Sequence, residues 1–351
     1  MTNKTILDAF EAQALACDYL GSPFTARVCR AMAERLDDGS RFGARILSWP
    51  GNPQSDALPI RAAGAFHALK RKGLPALVSV YPPNEADDDA LWRGMEAAIE
   101  DEDEFLTAFL DSAPQTNEVS RSNAILGGCL HIAARTGLPL DIYEIGSSAG
   151  LNLGFDRYHY DLGGYEWGDP ASTVGIVSPW ECGGEGKLPP LDAALQVASR
   201  QGCDLNPLDI SGEAARERLL SYIWPDQTAR LARIEAALAT AARSGVKPEK
   251  ADAAEWVEHH LSGPGTSGHV RVLFHTIVWQ YLPEETKSRI ENAMADAASR
   301  ATADAPLAWL SMEADRKEVD SASLRLRMWP TGEDVELART DFHGRCTRWE
   351  A

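Results

Sequence analysis

The chain has 351 residues, 44% of them hydrophobic, enough for a sizeable core and, by length, about two domains. Its formal charge of −18, from 52 acidic against 34 basic residues, excludes a general nucleic-acid surface. The six cysteines, at positions 17, 29, 129, 182, 203 and 346, show no C-x-x-C spacing, and neither a signal segment nor an apolar run of membrane length is present. No disulfide scaffold, no metal and no membrane partner are therefore expected, and a reducing cytoplasm is the default compartment.

Helical periodicity dominates the first part of the chain. Ile6, Leu7, Phe10 and Leu15 share a face over residues 5–17, and Phe24, Val28, Met32 and Leu36 repeat the pattern over 23–36. A third helix, over 58–70, closes with Lys70, Arg71, Lys72 and Gly73 in the order of a C-terminus. His67 lies inside it without a companion at metal-ligand spacing, so it reads as a packing or capping histidine. Asp87, Asp88 and Asp89 precede a helix holding Leu91, Trp92, Met95 and Ile99, and the cluster from Glu100 to Glu104 precedes a second helix with Phe105, Leu106, Phe109 and Leu110. Consecutive carboxylates point around a helix, so these charges read as solvated helix starts.

Another helix is expected from Asn117, capped by Thr116 or Asn117, with Val119, Ile125, Leu126, Leu130 and Ile132 as its apolar contacts. Asn117, Glu118 and Arg121 at its far end are candidate substrate contacts, Arg121 through a fork of hydrogen bonds to a carboxylate. The competing reading is an ordinary cap and a surface pair.

The stretch PLDIYEIGSSAGLNLGFD, residues 139–156, organises the rest of the chain. Strand formers give way to Gly146, Ser147, Ser148, Ala149 and Gly150, after which Leu151, Leu153 and Phe155 resume, a pattern of strand, tight turn and helix. Glycines let a ligand approach the backbone, and the opening turn of a helix offers free N–H groups, so the turn suits a nucleotide-like ligand. The spacing E-x-G-x-x-x-G-x-N, through Glu144, Gly146, Gly150 and Asn152, is neither the dinucleotide fingerprint nor a P-loop. The bland alternative is that the glycines only permit close strand-to-helix packing.

This run resembles the first motif of Rossmann-like S-adenosylmethionine-dependent methyltransferases. The wider segment QTNEVSRSNAILGGCLHIAARTGLPLDIYEIGSSAGLNL, from Gln115 to Leu153, resembles a bacterial family catalogued as domain of unknown function 2332, over nearly the whole chain. The methyltransferase resemblance implies S-adenosylmethionine as cofactor, contacted by Glu144, Gly146, Ser147, Gly150 and Asn152. It also implies an acidic residue on the ribose hydroxyls at the end of the second strand and another near the adenine amino group after the third.

Residues 157–200 are rich in glycine, proline and aromatics and read as an insertion with a hairpin or irregular strands. Tyr158, His159, Tyr160, Tyr165, Trp167 and Trp180 are its candidate lining groups, with His159 and Trp167 as candidate substrate contacts. The next core strand is expected over 201–205, which makes Asp204 the ribose ligand implied by the resemblance and Asp209 its rival. Leu231, Ile234 and Leu238 stripe a covering helix over 227–243. A third strand is expected within 246–256, with Asp252 as the adenine contact, and His259 and His260 read as a helix end.

Residues 270–278 form the clearest later strand, stopped by Pro283 ahead of a helix. It ends in Phe274, His275 and Thr276, without the N-P-P-Y of several amine-modifying enzymes, and His275 is the candidate general base. Strands over 306–313, 324–329 and 335–337 and an aromatic one within 342–349 complete the pattern, with Glu313 and His343 as further candidate substrate contacts.

The expected architecture is α/β, a Rossmann-like methyltransferase-type sheet with a mostly helical region over 1–135 and a cofactor-binding domain over 136–351 that carries an insertion at about 157–200. Residues 140–145, 270–274 and 307–312 should be neighbouring strands of one sheet. The expected function is methyl transfer from S-adenosylmethionine to an unidentified small molecule or protein. The alternatives are a non-catalytic regulator that binds the same cofactor or a nucleotide, a nicotinamide-linked oxidoreductase and a nucleoside-processing enzyme.

Overall fold

The structure, a computed structural model, describes residues 3–115, 117–184 and 186–351. Thr116, one of the two expected caps, lies outside the described residues. Two compact units emerge, residues 1–116 with 211–235, and residues 117–210 with 236–351. The division differs from the one expected at residue 135, because the helix that precedes the first strand packs on the sheet and because 211–235 returns to the helical unit.

The first unit contains α1 (Asn3–Tyr19), α2 (Pro23–Arg35), α3 (Arg41–Leu47), α4 (Leu58–Arg71), α5 (Pro75–Val78), α6 (Asp88–Phe109) and a later helix, α8 (Glu213–Ser221). Phe10, Met32, Phe42, Phe66, Leu91 and Met95 meet in its core. The two helices expected around the acidic clusters run together as α6, with a kink between them where Glu102 leaves helical geometry at φ −130°. Asp87 caps its start by accepting from the Ala90 amide at 2.7 Å. His67 is buried, with Nδ1 at 3.1 Å from the Ser221 carbonyl, the packing role expected of it. Burial pushes it down to about 4.

The second unit opens with α7 (Ser122–Thr136), whose C-terminus turns at Gly137 (φ +64°) into β1 (Leu140–Ile145). A small sheet follows, from β2 (His159–Asp161), β3 (Glu166–Trp167) and β4 (Gly175–Val177), in the order β3-β2-β4. Then come β5 (Trp180–Cys182), β6 (Val197–Asp204), α9 (Thr228–Ser244), which lies partly in each unit, β7 (Glu249–Lys250) and α10 (Ala253–Leu261). The chain ends with β8 (Val270–Thr276), α11 (Glu284–Ser299), β9 (Leu307–Ala314), β10 (Ala322–Trp329), β11 (Glu333–Thr340) and β12 (Thr347–Trp349).

These strands build a mixed α/β fold around one nine-stranded sheet of order β5-β12-β11-β10-β9-β8-β1-β6-β7. From β7 to β9 all neighbours are parallel, and β10, β11 and β12 each run antiparallel to the strand before. β8 is buried at every position, as a strand covered on both faces must be, which suits its apolar residues Val270, Val272, Leu273 and Phe274. Residues 140–145, 270–274 and 307–312 are neighbours, as expected. Strand addition proceeds from β1 outward to β6 and β7, then crosses to β8 and β9, so its direction reverses between β1 and β8.

Two local expectations change. The helix expected after the glycine-rich turn is a six-residue 3-10 segment, Asn152–Arg157, too short to supply a helix dipole. Its last turn is tied instead to β6, where Arg200 grips Asp156 through two bonds of 2.6 and 2.9 Å. The third strand shrinks to the two residues of β7. β8 ends at Thr276, as expected, and Ile277 after it turns to φ +50°. No helix among the described residues is long and apolar enough to cross a membrane.

Candidate functional site

Where strand addition reverses, the C-terminal ends of β1, β6, β7 and β8 face a crevice of about 650 Å³ including its open mouth, at the edge where open α/β sheets bind ligands. Gly146, Asp204 and Asp252, singled out as cofactor contacts, line it together. Its remaining walls are largely apolar, with Ile145, Leu205, Val278 and Leu282 among them. Leu205 and Tyr281 stand at the wall 60% and 74% exposed, although large apolar side chains normally seek burial.

Gly146 occupies the left-handed region at φ +69°, and a Cβ there would stand 2.5 Å from Val278 Cγ2. Glycine is thus required twice, by the turn and by the wall beside it. Asp204 accepts from the Ser148 amide at 2.9 Å and from the Asn206 amide at 2.8 Å, which holds its carboxylate at the crevice with lone pairs to spare. Its rival Asp209 is exposed, 3.4 Å from Lys247 Nζ, and does not line the crevice. Asp252 caps α10 through Oδ1, which accepts from the Ala254 and Glu255 amides at 2.9 and 3.1 Å.

On the other side of the turn the polar groups are more deeply buried. Glu144 is 2% exposed, and its Oε2 has no partner among the described residues; Asn152 Oδ1 and Ser148 Oγ are likewise buried without one. Burial, and then the charge of Asp204, push Glu144 up to about 8, with Arg121 pulling the other way. Ser147 does not join this set, because its hydroxyl donates to the Cys203 carbonyl at 2.9 Å and its amide bonds the same oxygen at 3.0 Å. It ties the turn after β1 to β6. Gly150 closes the turn through its amide, 2.7 Å from the Ser147 carbonyl.

Asn117 is buried and reaches into the turn, its Oδ1 accepting from the Leu151 amide at 2.9 Å, so it braces the turn and does not cap α7. Glu118 accepts from the Ser120 amide at 3.1 Å, and Arg121 Nε donates to the Phe342 carbonyl at 2.8 Å. That last bond brings the loop carrying His343 beside the start of α7, with His343 Nδ1 at 4.0 Å from Asp341. His159 and Trp167 belong to the small sheet, where Trp167 meets the edge of Tyr160 at 6.0 Å; they do not line the crevice.

His275 and Glu313 meet as a pair at the ends of β8 and β9, with His275 Nδ1 at 2.7 Å from Glu313 Oε1. The Trp309 indole, which can only donate, stands 3.1 Å from His275 Nε2. This fixes the tautomer, with Nδ1–H donating and Nε2 accepting. Both ring nitrogens are engaged within a side chain 2% exposed, Nδ1 through its proton and Nε2 through its lone pair, so that lone pair is not open to an acceptor's proton. The general base expected at His275 gives way here to a structural link, for which a chain position alone offers no signal. Leu205, Val278 and Tyr281 are lining residues that sequence reasoning misses, the last two because an apolar run continuing a strand reads as more strand.

A comparison with curated proteins finds no match. Residues 7–349, nearly the whole chain, match the family described as "Uncharacterized protein conserved in bacteria (DUF2332)", and the protein belongs to that family.

Proposed function

We propose that the protein is an S-adenosylmethionine-dependent methyltransferase acting on a small molecule or a protein. The observation that carries this reading is the gathering of Gly146, Asp204 and Asp252 around one crevice at the reversal of strand order. The parallel block β7-β6-β1-β8-β9 followed by antiparallel strands supports a Rossmann-like methyltransferase-type sheet, as does the resemblance of the glycine-rich turn.

The residues present fit such a cofactor. Asp204 has lone pairs for ribose hydroxyls, the small Ala251 and Ala253 beside Val278 and Leu282 leave flat apolar walls for a base, and Asp252 stands at the same wall. Glu144 Oε2 and Asn152 Oδ1 are unpartnered acceptors suited to an ammonium group. A bound sulfonium supplies an already activated methyl group, so the protein's own task is alignment. Gly146 admits the ligand to the backbone, Asn117 holds the turn in shape, and Asn117, Glu118, Arg121 and His343 are the proposed acceptor contacts.

A second reading, a binding protein without catalysis, draws on the engaged nitrogens of His275, which leave the site without its candidate base. A metabolite extract with isotopically labelled donor separates the two. Label transfer by the wild type that is lost in folded Gly146→Val supports the enzyme; saturable donor binding with no transfer supports the binding protein. Absence of binding overturns both.

A further inference from the structure

We propose that Glu313 and His275 are positioning residues, a latch that holds the Val278 wall of the crevice in its ligand-ready place. Glu313 Oε1 takes three donors at once, His275 Nδ1–H at 2.7 Å, the Val278 amide at 3.0 Å and the Trp279 amide at 3.2 Å. The segment it grips follows Ile277, a β-branched residue at φ +50°. Such a conformation persists only where the surroundings over-determine it. The Ile277 amide bonds the Met312 carbonyl at 2.9 Å on one side of the strained residue, and Glu313 holds the two amides on the other.

His275 is in turn held by Trp309 at Nε2 and stacked on Trp279 at 5.1 Å with their planes 20° apart. The strand end, the carboxylate and the loop therefore form a closed circuit that reaches the crevice through Val278. The contact that makes glycine obligatory at position 146 is with that same Val278. Release of the amides would let Val278 leave the glycine, and Tyr281, already 74% exposed, would move with it.

The ligand side of this inference rests on the proposed function; the loop side does not. Amide hydrogen exchange in the unliganded protein tests the latch directly. In Glu313→Ala the Val278 and Trp279 amides should exchange on the order of tenfold faster beyond any change shared with β10 and β11, and Glu313→Gln should restore protection through its remaining carbonyl oxygen. His275→Phe keeps the ring stack and leaves the carboxylate on both amides, so its effect should be smaller.

Calorimetry with S-adenosylhomocysteine should show affinity falling by about tenfold in Glu313→Ala and recovering in Glu313→Gln. Unchanged local exchange in a folded Glu313→Ala protein overturns the latch, and so does an increase spread evenly over the sheet, or affinity that stays constant while the loop loosens. A wild type that binds no S-adenosylhomocysteine removes the proposed function, and the exchange result then decides the latch alone.

Discussion

Glu144 on β1 and Glu313 on β9 sit on the two strands flanking β8, at the same end of the same sheet, yet their bonding differs. Glu313 spends one oxygen on three donors from its own chain, while Glu144, more deeply buried, keeps Oε2 without a partner and is pushed up to about 8. A buried acceptor left unmade normally costs roughly 1–3 kcal/mol, so a fold retains one where something other than the fold makes use of it. The saturated carboxylate holds the loop of the crevice wall, and the unsaturated one is the group we propose for a ligand. The N-terminal end of β1 reinforces the contrast, since Asp141 there is answered by Ser199 and by His269 Nδ1, the latter at 3.0 Å.

Mutation of each carboxylate should expose this difference. Glu313→Ala strands three donors and should lower unfolding free energy by roughly 3–6 kcal/mol in a denaturant titration, the largest effect expected. A loss under 1 kcal/mol would mean that the carboxylate is as dispensable as an ordinary surface group.

Glu144→Gln should act oppositely and depend on pH. The folded carboxyl holds its proton to about 8 while the unfolded one releases it near 4.5, so this group's contribution is intact below 4.5 and is lost as pH rises toward 8. Between pH 5.5 and 7.5 the wild type should lose about 3 kcal/mol relative to the variant, at ~1.4 kcal/mol per pH unit. Parallel stability curves for the two proteins would show that Glu144 is ionised in the fold.

His67 in the helical unit sharpens the comparison through the reverse sign. Its folded value, near 4, lies below its ordinary 6.5, so stability is full above 6.5 and falls as the solution is acidified toward 4. His67→Gln should flatten that decline by about 2 kcal/mol between pH 6 and 4.5, read from thermal unfolding at each pH. The smallest effect is expected of Asp252→Ala, which removes the cap of α10 for about 1 kcal/mol.

Much of the sheet was legible because period-two and unbroken apolar runs survive burial, as in β1, β8 and β9. Gly146, Asp204 and Asp252 were singled out through motif resemblance, and the structure brings them to one crevice. Other features left no local trace. The two residues of β7 are too few to show a period, and the 3-10 segment after the turn carries the same apolar spacing that a longer helix would. Partnerships across long separations were also invisible, since nothing near His275 announces Glu313 and Trp309, and nothing near Asn117 announces the Leu151 amide. The division at residue 135 failed for a similar reason, because helical periodicity does not say which core a helix covers.

The central claim is that the crevice beside Gly146 holds an S-adenosyl ligand whose ammonium is met by Glu144. Titration calorimetry of S-adenosylhomocysteine at pH 7, repeated in buffers of different ionisation enthalpy, tests it most directly. The account predicts saturable binding with release of close to one proton, as Glu144 ionises against the cation, and at least ~100-fold weaker binding in folded Gly146→Val. Equal affinity in that variant, or binding of the wild type without proton release, would contradict it.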